Sequence, residues 1–457
     1  MSFQVYLASI LLASTALYFI AKSRALSLKS TDKLTSTPGY HGLYVFLLTL
    51  APTLVFLIAG SLFENTFLQW LVIRQIPADL MLDSYSSDYA YNQIINVANG
   101  IIAIDPSNLF HILGVDLYED AASFARQLKL AIILSIFGLL GCYGYFNVSP
   151  KFNARISSEE IVHKILGGAS LIAVLTTFGI LFSILFETIM FFQSVSVTEF
   201  LFGTQWSPQT AIRADQVGSS GAFGALPVFT GTFLIALIAM LVAIPFGLLS
   251  AIYLSEYATS RIKDFMKPML EVLAGIPTVV YGYFAALYVG PFIRELGAIF
   301  NWNLTSESAL AVGLVMGVMI IPFVSSISSD VISAVPRSLR EGSYGCGATK
   351  SETISYVVIP AALPGIIAGI LLAVSRAIGE TMIVVMAAGL AANLTLNPLQ
   401  PVTTVTAQIV TLLVGDQEFD SPKTLAAFAL GLVLFIVTLI LNIIALRVVR
   451  KYREQYE

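Results

Sequence analysis

Arg376 and Glu380 are the only charged residues in an otherwise apolar run from 364 to 389. A charge at the centre of a lone membrane helix costs about 2.5–3.5 kcal/mol on insertion scales, so such residues mark either a pathway or a paired charge. Four residues apart on one helix, the two share a face and can neutralise each other. Arginine also offers a planar fork of donors suited to bidentate contact with an oxyanion. A carboxylate beside it accepts a hydrogen bond from an anion that still carries a proton and repels one that carries none. Two readings therefore stand: a structural ion pair that locks the helix, or a substrate pathway with a filter. Thr381 is a weaker pathway candidate, because a hydroxyl can bond its own helix backbone. Glu271, the other acid inside an apolar run, lies near the end of its run, where Lys267 at i−4 is a partner.

These residues need elements to hold them, and composition says which. Of 457 residues, 57% are apolar and 11% charged, with a mean hydropathy of +0.83. A chain this poor in charge cannot cover a soluble globule with polar surface, so it is read as an integral membrane protein. A net charge of −4 with scattered basic residues argues against a nucleic-acid partner. Cys142 and Cys346 make no disulfide framework. His41, His111 and His163 show no metal-ligand spacing, so neither a metal nor a cofactor is expected, and no catalytic residue.

About 20 apolar residues cross a bilayer as a helix. Nine runs qualify: 3–21, 42–63, 130–146, 165–186, 225–254, 269–293, 309–329, 364–389 and 424–446. They are continuous and lack period-2 alternation, which predicts helices over a barrel. The first run has no basic residue before it and no clear cleavage site, so it reads as an uncleaved helix with its N-terminus outside. That start assigns 17 basic residues to interior loops and six to exterior ones, with Arg376 left inside a span. The asymmetry is the one the positive-inside rule demands, and it predicts an interior C-terminus.

The organisation divides in two. Residues 1–150 hold three spans and an exterior segment, 64–129, with eight acids against three bases. That segment keeps aromatics, including Tyr85, Tyr89 and Tyr91, and reads as a small folded insert. Residues 151–457 hold six spans with short, basic interior loops.

The interior loop Gly342–Ser351 superficially suggests a phosphate loop. In that motif Lys directly follows the second Gly, whereas here Ala348 and Thr349 separate Gly347 from Lys350. An energy source, if used, must sit on another subunit. Glu341, Gly347, Val357, Ile359 and Pro360 have another meaning together. Their spacing resembles the EAA loop of binding-protein-dependent ABC importer permeases, with Gly342-Ser343 in place of Ala-Ala. The resemblance implies two short helices at the membrane surface, over 340–360, that seat in a cytoplasmic ATPase and transmit its closure.

The resemblance extends over residues 160–457. Phe223-Gly224-Ala225-Leu226-Pro227, Ala251–Tyr257, Leu273–Gly282 and Arg376-Ala-Ile-Gly379-Glu380-Thr381-Met382 are similar to the permease subunits of phosphate importers. The Gly-Glu-Thr-Met and Trp206-Ser207-Pro208 stretches favour the PstC-type subunit over its PstA-type partner. The fold implied is an all-α polytopic membrane protein of about nine transmembrane helices, the last six forming a type I ABC importer permease core. The partners implied are a PstA-type second permease, two copies of a PstB-type cytoplasmic ATPase and a PstS-type periplasmic phosphate-binding protein. The location implied is the bacterial inner membrane. Phosphate suits Arg376 and Glu380, since at neutral pH it still carries a proton and sulfate carries none. The role of residues 1–150 is not implied by the resemblance. Three other readings remain open: a permease for molybdate or sulfate, a secondary transporter using Arg376 and Glu380 as a proton relay, and a membrane sensor receiving through 64–129.

Overall fold

In hydrocarbon, backbone donors and acceptors must be satisfied within the segment, so runs this apolar fold as helices. The computed structural model describes residues 3–29, 33–77, 87–102, 109–209, 221–300, 305–414 and 421–453. It divides into two compact units, Met1–Thr176 and Thr177–Glu457.

The first unit is built on α1 (Phe3–Lys29), α2 (Pro38–Ile73), α3 (Ser87–Ala98) and α4 (Leu109–Asn147), with α5 (Ala154–Ser194) running across the division. Helix α2 packs against both α1 and α4. At 36 and 39 residues, α2 and α4 exceed what the bilayer core requires. Their overhangs form much of the expected 64–129 insert. Leu68, Val72 and Ile76 meet Tyr91 and Ile94 of α3 and Ala121 and Ala125 of α4 in one apolar cluster. The Lys129 ammonium donates to Glu64 at its base. The insert is therefore a helical cap, with Tyr89 and Tyr91 on α3; Tyr85 lies outside the described residues.

The second unit continues through α6 (Val197–Phe202) and a two-residue antiparallel ribbon, β1 (Trp206–Ser207) with β2 (Ala222–Phe223), in register Trp206 to Phe223. Then come α7 (Leu226–Ile252), α8 (Ser260–Gly275), α9 (Thr278–Phe284), α10 (Gly290–Ile299), α11 (Ala309–Ala334) and α12 (Arg337–Gly345). The last are α13 (Lys350–Thr353), α14 (Ile359–Ile378), α15 (Met382–Ala387), α16 (Val405–Leu413) and α17 (Pro422–Arg453). Helix α11 is the centre of this unit. Small residues let α7 lie directly on it: a methyl on Gly313 would stand 2.6 Å from Ile238 Cβ, and one on Gly317 2.8 Å from Val242 Cβ. Such contacts are how membrane helices gain packing without a hydrophobic drive between them. Ile235, Ala239, Met316, Ile320 and Ala373 fill the core around this seam.

Among the described residues eight helices are long and apolar enough to span, and a bent pair raises the number to nine. The expected span 269–293 is that pair. Helix α8 stops at Gly275 and the chain turns by 85° before α9. Pro277 disfavours helical backbone at the residue before it, and Ile276 is extended (φ −67°, ψ 129°). The Tyr281 hydroxyl donates to the Leu273 carbonyl at 2.8 Å and fixes the elbow. The expected span 364–389 is corrected too. Helix α14 ends at Ile378, and after Gly379 the chain restarts as the short α15.

Candidate functional site

That break changes the relation between Arg376 and Glu380. Arg376 stands in the last turn of α14, while Glu380 lies beyond it. Glu380 is 8% exposed. Its Oε1 accepts from the backbone N–H groups of Met382 at 3.2 Å and Ile383 at 3.5 Å, capping α15. The Thr406 hydroxyl holds the Glu380 carbonyl at 2.7 Å. Among the described residues no ion pair joins Arg376 to Glu380, so the shared helix face expected from the four-residue spacing does not form. Thr381 Oγ1 donates to the Gly379 carbonyl at 3.4 Å, two residues back in the break between α14 and α15 rather than along a helix.

The Arg376 guanidinium lies over the Phe323 ring, 5.8 Å from its centroid, within cation–π range. It borders a cavity of about 320 Å³ between α8 and α11, whose polar lining is Lys267, Glu271, Ser325, Ser326, Ser329 and Asp330. Lys267 faces Asp330 at 3.8 Å, which replaces the Glu271 partner expected at i−4. Ser329 Oγ is 3.1 Å from Ser255 Oγ. The run Ser325-Ser326-Ile327-Ser328-Ser329-Asp330 was not singled out among the sequence-level candidates. Its signal was legible: hydroxyls at i and i+4 inside an apolar span, ending in an acid.

The EAA-like segment forms a helical hairpin. Helix α12 ends at Gly345, and Gly347 takes φ +87°, a left-handed conformation that favours glycine. Thr349 and Glu352 then form a reciprocal capping box: Glu352 Oε2 accepts from the Thr349 N–H at 2.7 Å, and Thr349 Oγ1 accepts from the Glu352 N–H at 3.4 Å. The Thr349 hydroxyl, which also donates to Glu352 Oε2 at 2.6 Å, and then the Thr349 N–H hold the Glu352 carboxyl below the usual carboxylate range. Across the hairpin, the Ser343 and Thr353 hydroxyls lie 2.9 Å apart. The expectation of two short helices needs correction in its second half. From Lys350 the helix continues through a π turn at Ile354–Val358 into α14, one rod to Ile378. Ile359 and Pro360 are therefore inside the rod, and Glu341 and Gly347 are exposed on the hairpin.

On the opposite side of the unit, the Trp206 indole N–H donates to Gln408 Oε1 at 2.9 Å. Gln408 Nε2 donates to the Leu390 carbonyl at 3.0 Å and to Thr403 Oγ1 at 3.2 Å. One buried amide thereby ties the Trp-Ser-Pro stretch to the irregular segment after α15.

Span-length helices around a small-residue seam, an exposed hairpin with EAA spacing and a polar cavity beside the arginine of a span-length helix are features of a transport permease. The family described as "Binding-protein-dependent transport system inner membrane component" matches residues 243–454, and one described as "Phosphate ATP-binding cassette transporter" matches residues 7–176. The class is thus a multi-pass permease of an ABC importer, a class that works with ATPase and substrate-binding partners. Similar proteins include the "Probable ABC transporter permease protein YqgH" of Bacillus subtilis, 33% identical over 53% of this chain and 75% of that protein. They also include the "Phosphate transport system permease protein PstC" of Mesorhizobium japonicum, 31% identical over 63% of this chain and 89% of that one. The chain belongs to the PstC family of permeases. A solved inward-facing MetNI methionine ABC transporter aligns over 50% of this chain and 94% of its own at 16% identity, with a TM-score of 0.38.

Proposed function

We propose that the chain is the PstC-type subunit of an ATP-driven importer that carries inorganic phosphate into the cytoplasm. It pairs with a PstA-type permease, two PstB-type ATPases and a PstS-type binding protein in the bacterial inner membrane, its N-terminus periplasmic and its C-terminus cytoplasmic. Residues 151–457 are the permease core. Residues 1–150 are an extension that serves assembly or docking of the binding protein. The hairpin residues Glu341 and Gly347, with Ile359 and Pro360 at the root of its rod, receive the ATPase. Arg376 contacts the anion, with Glu380 and Thr381 beside the route.

One observation carries this reading: Arg376 has no carboxylate within ion-pair distance among the described residues, although it lies on a helix long and apolar enough to span and opens onto a cavity lined by serine hydroxyls with Lys267, Glu271 and Asp330. A guanidinium on a span-length helix with no carboxylate bonded to it keeps its planar fork of donors free for an oxyanion. The test is uptake of labelled phosphate by the reconstituted four-component complex. Arg376→Gln should assemble, keep ATPase stimulation by the loaded binding protein, and fail to transport. Uptake near the wild-type rate would falsify the pathway role.

A further inference from the structure

The cavity beside Arg376 has a polar wall that the contact between the anion and Arg376 does not require. Ser325 is 1% exposed, lines that cavity, and its hydroxyl has no hydrogen-bond partner among the described residues. In a helix a buried hydroxyl ordinarily returns its proton to the carbonyl four residues back. Thr49, Ser158, Thr188 and Thr232 of this chain all do so, at 2.7–2.9 Å. Ser325 does not, and an unpaired buried donor facing a polar cavity is a group with a missing partner.

The cavity also has a direction. Arg376 and Phe323 stand at one end of it. Ser329, Asp330 and Lys267 stand at the other, close to the hairpin: Ser255 bonds Ser329, and the adjacent Glu256 binds Arg340 of α12. The volume of about 320 Å³ holds an oxyanion with several waters. Its charges balance, with Lys267 and Arg376 against Glu271 and Asp330, so a bare anion meets repulsion as well as donors.

We propose that this cavity is a second station for the anion, between Arg376 and the coupling hairpin, selective for a tetrahedral oxyanion that still carries a proton. The Ser325 hydroxyl donates to an anionic oxygen there, Lys267 supplies the balancing charge, and Asp330 accepts the proton-bearing oxygen of the anion. No bond is broken. This station rests on the reading of Arg376 as the anion contact and extends it by one step.

The test uses the complete four-component importer in proteoliposomes, with labelled phosphate. Ser325→Ala removes a hydroxyl that bonds nothing in the protein, so thermal stability should be unchanged or slightly higher. Loss of one hydrogen bond to a charged ligand predicts uptake lower by about tenfold or more, with ATPase stimulation by the loaded binding protein within about twofold of wild type. Ser325→Thr keeps the donor and should restore at least half of the uptake. Uptake by Ser325→Ala at the wild-type rate overturns the station, as does a loss that Ser325→Thr leaves unrepaired. Arg376→Gln, run in parallel, separates the two claims. Wild-type uptake by that variant removes the Arg376 reading, whereas wild-type uptake by Ser325→Ala alone removes only the station.

Discussion

Arg340 of the hairpin donates from Nη2 to Glu256 Oε1 at 3.0 Å, joining α12 to the π turn that ends α7. The same side chain donates from Nη1 to the Val335 carbonyl at 2.7 Å and from Nη2 to the Ile332 carbonyl at 2.8 Å, satisfying the free end of α11. Lys350, at the root of the hairpin's second arm, stands 5.0 Å from the centroid of the Tyr257 ring. A push on the hairpin thus reaches α7 and α11 together, and these two helices form the small-residue seam of the unit.

The first prediction follows from that joint. The two side chains are 16% and 11% exposed, so solvent screens the pair only partly. Arg340→Met removes three bonds and strands Glu256, and should cost about 1–3 kcal/mol. Glu256→Gln keeps a neutral acceptor and should cost less. Thermal unfolding of the complex measures the difference, and ATP hydrolysed per phosphate imported should rise more in Arg340→Met. Equal effects would mean that the ion pair alone, without the carbonyl caps, makes the joint.

Gly347 gives the second. A methyl there would touch nothing within 4 Å, so any cost of substitution is backbone strain at φ +87°. Left-handed backbone costs a branched residue roughly 1–2 kcal/mol and asparagine less. Gly347→Val should uncouple hydrolysis from uptake while the protein still inserts, and Gly347→Asn should stay near wild type. Identical coupling in all three proteins would show that the turn is not what shapes the lever.

Glu352 gives a dependence on pH. Its carboxyl is held below the ordinary 4.5 by the Thr349 hydroxyl and N–H. A depressed folded value means the cap's contribution is fully present above the unfolded value and fades as pH falls through the folded one. Amide exchange at 349–353 should therefore accelerate, relative to its intrinsic rate, only as pH drops below the ordinary value of 4.5. Glu352→Gln should abolish that step. A step that persists in the glutamine variant would assign it to another group.

How much of this was legible in the sequence differs by element. Span positions were readable because 20 apolar residues have few alternatives in a bilayer. The EAA spacing located the hairpin, since Glu341, Gly347 and Pro360 sit at fixed offsets along one chain segment. The two breaks were harder. Hydropathy is blind to Ile276–Pro277 and Gly379, which are as apolar as their neighbours, so 269–293 and 364–389 read as unbroken. Once Gly379 interrupts the helix, a four-residue interval no longer means a shared face, and the Arg376–Glu380 pairing fails for that reason. The spacing of Ser325, Ser329 and Asp330 marks a polar stripe on one helix face, but whether each serine's proton returns to the backbone or faces a cavity depends on packing that no spacing reveals. Lys267 and Asp330 meet across 63 positions of chain, beyond any local pattern.

The last prediction concerns the pair that does not form. If Arg376 and Glu380 neutralised each other, exchanging them would restore what single changes lose. In the structure their duties differ: Glu380 caps α15 through Met382 and Ile383, and Arg376 lies over Phe323 beside the cavity. An arginine at 380 offers no acceptor to those N–H groups and brings positive charge to a helix N-terminus, where it is unfavourable. Loss of the cap alone should cost about 0.5–2 kcal/mol. A glutamate at 376 replaces cation–π attraction with repulsion from the ring face. The exchanged protein should therefore be less stable than Arg376→Gln or Glu380→Gln, and it should not transport. Glu380→Gln can still accept through its amide oxygen, so it should keep α15 and assemble. Its expected defect is in choice of anion, with sulfate competing better against phosphate. Arg376→Lys keeps the charge without the planar fork and should leave slow uptake. Recovery of phosphate uptake in the exchanged protein would show that the two side chains meet during the transport cycle.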